Sequence, residues 1–574
     1  MYLIRILLVS ILFINKIGED PKDKTIFISP LKIPLSLSAN FGELRLDHFH
    51  SGLDIRTQGV TGKEVVATAS GYVYRISVSP GGFGKAIYLR HPSGYSTVYG
   101  HLDKFIPEIE EYVVARQYDD KSYMITLWPP KDRFRFNQGD VIAYSGNSGS
   151  SSGPHLHYEI RKSDEEIPVN PLQFKFGVED DYKPIIDKLV VYPVGRETTI
   201  NNQYKPLKIN IAGANGHYSL AFNNEITISG PAGFGLRTYD MVNNSYTRCS
   251  VYSIELKIDS LPVYKYLMDE FSFNESRYIN SHIDYETYLK DNIYIERAFV
   301  LPNDKLSVYH EVVNKGVFNF KDDRNHHVDI IVTDVNNNRS VLSFYVKAAY
   351  SSPKNSSDRS EGNSVVVMPY NRNNKFVSKN VTVNIPSGVL YDTLRFEFSQ
   401  TTGTPDMYSD VFRIHNKYTP VHKPYSLSIR PGRIPAGKEL KMVIVQIADE
   451  LKRTPIPSTC VNGILMANPT SFGTFYVGID TVPPVISVNG LVQGANLSGK
   501  TELRIKILDD FSGIKSYEPQ VDGKWALFEY DQKNNVLIYR FDPKRITKGT
   551  KHSMSLTVAD NCGNESVLER GFTW

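Results

Sequence analysis

Short runs in which apolar and polar residues alternate recur along most of the chain, and this period of two is what most restricts its fold. Between about residues 25 and 175 they include GYVYRISV at 71–78, KAIYLRH at 85–91 and GDVIAYSG at 139–146, with glycine-containing turns nearby. Alternation of this kind predicts half-buried β-strands. No long helical periodicity interrupts it in this block. Aromatic residues, which strands favour, are plentiful, with 36 Tyr and 28 Phe. The sequence therefore predicts a mainly β protein.

Beyond residue 175, strand patterns recur at regular spacing with turn residues between them, which favours tandem Ig-like β-sandwich domains. A chain of 574 residues is long enough for several domains. The exception to the strand pattern is the stretch 269–296, which we predict to be a helical insertion. The predicted division is a leading segment at 1–20, a first domain at 25–175, an Ig-like β-sandwich region at 176–350, a β-sandwich domain at 351–482 and a C-terminal Ig-like β-sandwich domain at 483–574.

A strand that runs into Asp and then an Asn-rich turn occurs three times, as LRTYDMVNNS (236–245), IIVTDVNNNRS (330–340) and LTVADNCGNES (556–566). Asp and Asn readily form Asx turns at strand ends, which explains the pattern structurally. A calcium site is the alternative, also for LDDFSG at 508–513, although no fuller string of oxygen ligands accompanies these aspartates. Both interpretations stay open at this point.

The first twenty residues have the pattern of an export signal. Arg5 is followed by an apolar run over 6–14 and then by polar residues. The run is too short to span a bilayer and is typical of the core of a secretory signal, either cleaved or kept as an anchor. We therefore expect an exported protein of the periplasm or cell envelope, without a transmembrane bundle.

Several features argue against other kinds of site. The 65 Lys and Arg residues against 62 Asp and Glu residues leave a net charge of +3, too small to indicate nucleic-acid binding. The three cysteines are too few and too widely spaced for a disulfide framework or a thiolate zinc site. They are Cys249, Cys460 and Cys562. The pair His326 and His327 is predicted to lie in a charged loop without partners.

The stretch GPHLHYEI at 153–160 contains two histidines one residue apart. On a strand, His155, His157 and Glu159 point to one face, and the residues between them point to the core. The two imidazoles are close enough to share one metal ion, or for one to bind metal while the other moves a proton. A surface pair is the alternative. Glu159 is a candidate to orient a ligand histidine by a hydrogen bond.

Two earlier motifs supply further candidate ligands. HFHSGLDI places His50 four residues before Asp54, and VYGHL places His101 at the end of a strand. On an extended strand His50 and Asp54 would stand about 13 Å apart, so the chain must turn between them, and Ser51-Gly52 suits that turn. Two imidazoles and a carboxylate leave one position open on a zinc ion, whereas calcium and magnesium favour more oxygen ligands.

The order of these motifs resembles the lysostaphin/LytM-type zinc metallopeptidases. His-x-Gly-x-Asp at 50–54, Tyr-x-His-Leu at 99–102 and Gly-x-His-x-His at 153–157 follow the family's order, and the stretches between them are similar too. The resemblance covers about residues 35–175, under a third of the chain. It implies an antiparallel β catalytic domain, which would be followed by the tandem Ig-like β-sandwich domains.

Carried over position by position, the resemblance implies that His50, Asp54 and His157 bind one zinc ion and that His101 and His155 are catalytic. It implies a zinc-dependent endopeptidase that hydrolyses peptide cross-links of bacterial peptidoglycan by metal-activated water. Zinc lowers the pKa of its bound water and polarises the scissile carbonyl, and a histidine can accept or donate the proton. Which histidine is the base and which the acid stays open.

A second hypothesis is a non-catalytic envelope protein that uses the peptidase fold to bind cell wall or to activate a partner amidase. Such a protein is expected to lose ligand positions, and all five are present here. The stretch 106–136 is longer than the family's usual connection, and its Tyr118, Tyr123 and Trp128 are predicted to form a wall or lid over the cleft. The β-sandwich domains are expected to hold the catalytic domain near the wall, to bind an envelope protein partner or to cover the cleft.

Overall fold

Strands dominate this protein. The computed structural model describes residues 26–222, 225–243, 245–349, 366–448, 452–488 and 490–574. Across these ranges 44 strands stand against three α-helices, so the prediction of a mainly β protein is confirmed. The expected export signal at 1–20 lies outside the described residues. In the described ranges, none of the helices has the length and apolar character needed to cross a membrane.

The first unit is an eleven-stranded sheet. Its strands are β1 (Leu37–Ala39), β2 (Leu53–Arg56), β3 (Glu64–Val66), β4 (Gly71–Val78), β5 (Lys85–Arg90), β6 (Tyr95–Phe105), β7 (Ile125–Leu127), β8 (Arg135–Phe136), β9 (Val141–Ser145), β10 (His155–Lys162) and β11 (Ile167–Val169). The main path runs β1-β2-β10-β6-β5-β4-β7 with antiparallel neighbours throughout, and a 3₁₀-helix follows at Pro171–Gln173. The antiparallel β architecture expected for this unit is confirmed.

Alternation along β10 separates the core from the opposite face of the sheet. Leu156, Tyr158 and Ile160 are fully buried and belong to the hydrophobic core of the first unit. The residues between them, starting with His155 and His157, therefore point to the other face. The strand next to β10 is β6, so the sheet brings the histidine motifs together. His101 lies inside β6, which continues to Phe105, so the prediction that His101 stands at the end of a strand is wrong.

One helix interrupts the first unit, contrary to the expectation that this block lacks long helical segments. Helix α1 (Pro107–Asp120) begins with a proline, which suits a first turn, and ends where Lys121 adopts a left-handed conformation with φ 47°. Its buried residues are Ile109, Val113 and Gln117. These buried side chains form one narrow row, and one of them is polar. The sequence of the helix therefore shows no clear apolar period of the helical kind.

The second unit is a twelve-stranded sheet with both antiparallel and parallel neighbours. Its strands are β12 (Ile185–Pro193), β13 (Thr199–Ile200), β14 (Leu207–Ala214), β15 (His217–Leu220), β16 (Ile226–Tyr239), β17 (Ser253–Ile258), β18 (Leu261–Leu267), β19 (Glu296–Arg297), β20 (Tyr309–Val312), β21 (Phe318–Phe320), β22 (Asn325–Thr333) and β23 (Arg339–Ala348). His326 and His327 lie on β22, and His326 contacts Asp259 and Asp322 at 2.7 and 2.9 Å. The prediction that His326 and His327 lie in a loop without partners is therefore wrong. Asp259 is distant in the sequence, so the residues around the two histidines could not indicate it.

The helical insertion expected at 269–296 is present as short helices. They are a 3₁₀-helix at Ser276–Tyr278, α2 (Ile279–His282) and α3 (Tyr285–Asp291); a further 3₁₀-helix lies later, at Asn314–Gly316. Phe49, next to His50, packs against the insertion: its ring centroid lies 5.6 Å from Phe271 and 6.0 Å from His282. The backbone N–H of Phe49 donates to the Ser276 hydroxyl at 2.8 Å. The second unit therefore supports the segment that carries His50.

Two further β-sheet units follow. The third has strands β24 (Val366–Met368), β25 (Asn374–Val377), β26 (Val381–Ile385), β27 (Leu394–Phe396), β28 (Phe398–Thr401), β29 (Val411–Ile414), β30 (Ser426–Ile429), β31 (Met442–Ile447), β32 (Arg453–Ile456), β33 (Ser458–Val461), β34 (Ile464–Ala467) and β35 (Gly473–Ile479), with a 3₁₀-helix at Glu439–Lys441. Its two five-stranded sheets, β25-β26-β30-β34-β33 and β28-β29-β35-β31-β32, share one hydrophobic core.

The fourth unit has the same kind of construction. Its strands are β36 (Val485–Ser487), β37 (Ala495–Asn496), β38 (Glu502–Leu508), β39 (Ile514–Val521), β40 (Lys524–Trp525), β41 (Phe528–Asp531), β42 (Val536–Arg540), β43 (Lys551–Asp560) and β44 (Glu565–Thr573), with a 3₁₀-helix at Gln532–Asn534. The sheets β36-β38-β42-β41 and β37-β44-β43-β39-β40 enclose a core of their own. The prediction of further β-sheet units after the first is confirmed.

The fourth unit packs against helix α1 of the first. The ring centroids of Tyr118 and Trp525 lie 5.2 Å apart, and the Arg545 guanidinium lies 3.8 Å from the centroid of the Tyr118 ring. Tyr123 is buried in the core of the first unit, so the prediction that it forms a lid over the cleft is wrong. Trp128 is exposed and packs beside Tyr74. Tyr118, Tyr123 and Trp128 thus lie in three different places: at the contact with the fourth unit, in the core of the first unit and on the surface.

Candidate metal centre

Three donor atoms from separate parts of the first unit meet at one point. His50 Nε2 lies 3.1 Å from both Asp54 Oδ1 and His157 Nδ1, and His157 Nδ1 lies 2.9 Å from Asp54 Oδ1. Ligands held by a tetrahedral zinc ion at about 2.0–2.1 Å are roughly 3.3 Å apart. The triangle therefore needs to widen only slightly to hold zinc, and two imidazoles with one carboxylate are donors that suit this metal.

The local fold explains why these residues converge. Strands β2 and β10 pair so that Asp54 and His157 are directly opposite. His50 returns to the same place because the chain bends at Gly52 before β2 begins. A Cβ atom at Gly52 would lie 2.4 Å from the carbonyl oxygen of Tyr158, so only glycine allows this close approach. The turn that the His50–Asp54 spacing requires is confirmed.

Each imidazole of the triangle is oriented through its other nitrogen. His50 Nδ1 donates to the carbonyl oxygen of Asn40 at 2.7 Å, and His157 Nε2 donates to Glu159 Oε1 at 2.9 Å. These bonds leave His50 Nε2 and His157 Nδ1 as electron-pair donors that face the triangle. The hydrogen bond expected between Glu159 and a candidate ligand histidine is present, with His157 as the partner.

Glu159 is a fully buried carboxylate with strong partners. Arg161 Nε donates to its Oε2 at 2.6 Å, and the Ser51 hydroxyl donates to its Oε1. Burial raises the pKa of Glu159, but the Arg161 guanidinium and the hydrogen bonds outweigh burial and lower the pKa to about 2. The group therefore stays ionised at neutral pH and favours His157 as a strongly donating ligand.

Replacing Glu159 by glutamine tests this support. We expect zinc affinity to fall by roughly 10–100-fold, because the uncharged amide is a weaker acceptor for His157 Nε2. Competition with a chromogenic zinc chelator measures the change. The matched control is Glu166→Gln, since Glu166 also pairs with Arg161, at 3.1 Å, without contacting His157 in this way. Equal losses of affinity in both variants would contradict a specific role for Glu159.

The two remaining predicted histidines border the triangle. His155 Nε2 lies 3.5 Å from Asp54 Oδ1, while its Nδ1 donates to the carbonyl oxygen of Gly153 at 2.8 Å. His101 Nδ1 donates to the carbonyl oxygen of Ser148 at 2.9 Å, and its ring centroid lies 4.7 Å from that of His155. In both rings Nδ1 is thus engaged by a backbone carbonyl, and Nε2 of His155 faces Asp54. All five predicted site residues are brought together.

The pKa values of His101 and Asp54 are both lowered, for different reasons. Burial, followed by the neighbouring charges of His157 and His155, lowers the pKa of His101 to about 3, so the ring is neutral at neutral pH. Burial acts to raise the pKa of Asp54, but the three surrounding histidines outweigh it and hold the pKa well below its usual range. At neutral pH the site thus combines an ionised Asp54 carboxylate with a neutral His101 imidazole.

Two residues that the sequence did not single out complete the site. Phe83 stacks on His157 with ring centroids 4.7 Å apart, and its carbonyl oxygen accepts the backbone N–H of His101 at 2.8 Å. That bond helps to hold His101 at φ 58°, a strained value for a residue with a side chain. Arg45 donates to Asp54 Oδ2 at 3.3 Å. Neither residue belongs to a spacing pattern, so no sequence signal marks them.

Comparison with protein families identifies this part of the chain. The model described as "Peptidase family M23" matches residues 48–118 and 131–171, which include all five site residues. The segment is a peptidase family M23 domain. The match includes nearly all of α1 and omits only 119–130, so the stretch outside the family pattern is shorter than the predicted 106–136. A second model, described as "Zu5-like domain", matches residues 365–480.

Curated relatives are similar to about a fifth of this chain. An uncharacterized metalloprotease of Haemophilus influenzae is 34% identical over 126 residues, which are 22% of this chain and 21% of the relative. The DD-carboxypeptidase/endopeptidase Mpg of Neisseria meningitidis is 32% identical over 123 residues, 21% of this chain and 22% of the relative. The murein hydrolase activator NlpD of Salmonella dublin is 30% identical over 125 residues, 22% of this chain and 26% of the relative. The chain thus spans about a fifth to a quarter of the length of these relatives.

Among solved structures, a zinc containing peptidase from Vibrio cholerae is similar to this chain at 24% identity. The likeness covers 26% of this chain and 40% of that chain, with a TM-score of 0.20.

The loop 146–153 of the M23 domain is held by the fourth unit. Lys533 Nζ donates to the carbonyl oxygen of Asn147 and, at 2.9 Å, to that of Ser151. The carbonyls of Ser148 and Gly153, which orient the two bordering histidines, belong to the same loop. A residue of the fourth unit therefore restrains the backbone that positions His101 and His155.

Replacing Lys533 by alanine should loosen this loop. We expect the amides of 147–151 to exchange hydrogen on the order of tenfold faster, because bonds from a charged donor are lost. Hydrogen-exchange mass spectrometry measures the effect. The matched control is Lys544→Ala, since Lys544 joins the same two units through an exposed pair with Glu111 at 3.3 Å. Such pairs contribute little. Unchanged exchange in the Lys533 variant would contradict the restraint.

Proposed function

We propose that this chain is a zinc-dependent endopeptidase that hydrolyses peptide cross-links of bacterial peptidoglycan. The observation that carries the proposal is the triangle of His50, Asp54 and His157 donors with His101 and His155 beside it. Membership of the first unit in peptidase family M23 supports a peptidase. The similarity to a relative named as a DD-carboxypeptidase/endopeptidase supports the choice of cell-wall peptides.

In this proposal His50, Asp54 and His157 hold the metal. When bound, zinc supplies a water of lowered pKa and polarises a peptide carbonyl. Hydrogen bonds to Asn40 and Glu159 keep the two imidazoles in the tautomers that leave the correct nitrogen free. Ionised Asp54 adds the negative charge that a divalent ion requires.

His101 and His155 move the protons. Each ring donates through Nδ1 to a backbone carbonyl, so Nε2 is the nitrogen through which either ring would accept or donate a proton, and which ring is the base stays open. His155 Nε2 lies nearest the triangle, 3.5 Å from Asp54 Oδ1. Once protonated, a ring can donate to the oxyanion or to the leaving amine. The adjacent ring, at a centroid separation of 4.7 Å, is the second member of this pair.

Localisation and partners belong to the same proposal. Peptidoglycan lies outside the cytoplasm, so the activity requires export to the periplasm or cell envelope, which the pattern of residues 1–20 supports. The division at 176–350, 351–482 and 483–574 into Ig-like sandwich domains is likewise proposed, with an envelope protein as a partner of these domains. The third and fourth units each have a hydrophobic core made of their own residues, which supports the boundary between them, whereas the core of the second unit also includes Phe41, Phe49 and Tyr391.

One observation favours a second candidate function. The chain is 30% identical over 125 residues to a relative named as a murein hydrolase activator. In that case the fold would bind cell wall or activate a partner amidase without cutting peptides. The complete set of three donors and two bordering histidines supports the enzyme instead, because a binding protein has no need for it.

Digestion of purified peptidoglycan distinguishes the two candidates. The zinc-loaded protein is incubated with cross-linked material, and the soluble products are identified by mass spectrometry. A chelated sample and one with zinc restored are run in parallel. We expect cross-linked dimers to fall to monomers only when zinc is present, and the product masses name the bond. If nothing is cut but a purified amidase works faster on addition of this protein, the activator function holds.

A further inference from the structure

Three aspartates converge where the first unit meets the second. Asp240 follows β16, Asp334 follows β22, and Asp180 lies in the connection before β12. One carboxylate oxygen of each lies within 4.8 Å of the other two. The groups that perturb these carboxyls most are each other, backbone amides and the side chain of Asn338, rather than Lys or Arg residues. Three carboxylates without a cation repel each other strongly at this distance.

Asp240 shows that a partner is missing from this group. Only 4% of the residue is exposed, yet its Oδ1 has no hydrogen-bond partner within the described part of the chain. Asp240 lines a cavity of about 20 Å³ together with Asp180 and Asp334. A space of that volume holds one water molecule or one ion. An unpaired buried carboxylate oxygen is costly, so an occupant that neutralises it is expected.

We propose that Asp180, Asp240 and Asp334 bind a divalent cation, Ca²⁺, at the junction of the first two units. Calcium takes six to eight oxygen ligands at about 2.3–2.6 Å, so oxygens on opposite sides of the ion are roughly 5 Å apart. The three carboxylate oxygens fit within that span. With no nitrogen or sulfur donor in the set, the site favours a hard cation over the zinc that suits the histidine triangle.

Protonation of the carboxyl groups is the alternative way to relieve their mutual repulsion. The raised pKa values of two of these groups show how strong the repulsion is. Burial and then, for Asp240, the charges of Asp180 and Asp334 raise the pKa of Asp240 to about 8. Burial and the charge of Asp334 raise the pKa of Asp180 to about 7. A bound cation removes this repulsion while all three carboxylates remain ionised.

The fourth unit repeats the arrangement and supplies a comparison. There Asp480, Asp509 and Asp560 also offer oxygens within 4.8 Å of one another. Asn564 Nδ2 donates to Asp560 Oδ2 at 2.6 Å and to the Asp480 carbonyl at 3.2 Å. Asn338 Nδ2 makes the same two bonds in the second unit, to Asp334 Oδ2 at 2.6 Å and to the Asp180 carbonyl at 3.1 Å.

The two clusters differ in whether their carboxylate oxygens accept hydrogen bonds from the protein itself. In the fourth unit Asp480 accepts two backbone N–H groups, at 3.1 and 3.3 Å. Asp509 Oδ1 accepts two more, from Phe511 and Gly513. These bonds are the Asx-type contacts that the sequence pattern predicts. Asp240 Oδ1 has no such bond, so the same interpretation does not account for it, and the proposal is confined to the cluster of the second unit.

The cavity also adjoins the M23 domain. Asn40 is among its lining residues. Asn40 exchanges two hydrogen bonds with the backbone of Ser250, at 2.8 and 2.9 Å, and its carbonyl accepts from His50 Nδ1. A cation that ties Asp180 to Asp240 and Asp334 therefore braces the junction on which the orientation of His50 rests.

Terbium luminescence and thermal unfolding of the zinc-loaded full chain test the proposal. Tyr252 lines the cavity and can sensitise Tb³⁺ bound there. We expect tyrosine-sensitised emission that Ca²⁺ displaces and Mg²⁺ displaces at least tenfold less well, since Mg²⁺ demands a stricter octahedral site. Adding Ca²⁺ should raise Tm by several degrees. Neither readout depends on the proposed peptidase activity, so failure of one proposal leaves the other standing.

Asp240→Asn is the decisive variant. The amide removes the buried negative charge, so in calcium-depleted buffer the variant should unfold at the same temperature as the unaltered chain or higher. It should lose the Ca²⁺-dependent rise in Tm and the Tyr-sensitised emission. The matched control is Asp509→Asn in the fourth unit, which should keep both responses. The proposal is overturned if the unaltered chain shows no Ca²⁺ response at millimolar concentration, or if Asp240→Asn responds as the unaltered chain does.

Discussion

His157→Ala is expected to abolish both zinc binding and digestion of peptidoglycan. The substitution removes one corner of a donor triangle whose sides are 2.9–3.1 Å. It also ends the contact through which Glu159 orients that donor. Loss of an outer partner alone typically costs about 10–100-fold in metal affinity, so loss of the ligand should cost more. Metal analysis after dialysis and mass spectrometry of digestion products measure the two effects.

His48→Ala is the matched control for this experiment. His48 lies two residues before His50, is exposed, and pairs with Asp47 at 3.0 Å rather than with the triangle. Its replacement should leave zinc content and digestion unchanged. A His157→Ala protein that retains one zinc per chain and still cuts would refute the assignment of the ligands. A thermal melt of both variants excludes unfolding as the cause of lost binding.

Replacing His101 separates catalysis from metal binding. His101 lies beside His155 and donates to the Ser148 carbonyl, outside the donor triangle. We expect kcat to fall by roughly 10²–10⁴-fold, the usual contribution of a general acid or base, with zinc content retained. Initial rates on a soluble cross-linked peptide, together with metal analysis, give both quantities. A change confined to KM would mean that His101 binds substrate without moving protons.

The choice of substitution matters because His101 has φ 58°. Asparagine tolerates this left-handed conformation better than most residues, whereas alanine adds strain. His101→Asn should therefore keep the backbone in place while it removes the group that takes up a proton. If His101→Asn loses zinc as well as activity, His101 is a metal ligand and the assignment of three ligands is wrong.

The site was the most predictable part of the molecule. A strand has a period of two, so the spacing of His155 and His157 predicts a shared face, and the fully buried Leu156 and Tyr158 confirm the other face as core. The four-residue spacing of His50 and Asp54 predicts a turn for a purely geometric reason. Such local rules need only a few adjacent residues.

Contacts between distant segments were not predictable in the same way. Helix α1 buries only Ile109, Val113 and Gln117, so its period is hidden among polar residues. Lys533 contacts a loop 382 residues away and resembles any surface lysine in the sequence. The unpaired oxygen of Asp240 depends on how three separate strand ends pack. These features depend on tertiary packing, which cannot be predicted from the pattern of neighbouring residues in the sequence.

The contact between Lys533 and the loop 146–153 also has a consequence for the order in which parts of the chain become fixed during synthesis. A chain is synthesised from its amino terminus, and its units generally fold in that order. The carbonyl of Ser151 emerges 382 residues before the lysine that will bind it. The loop that positions His101 and His155 therefore lacks the restraint from Lys533 until the fourth unit has been made and has folded. During synthesis, the residues of the donor triangle are therefore all made before the lysine that restrains the loop beside His101 and His155.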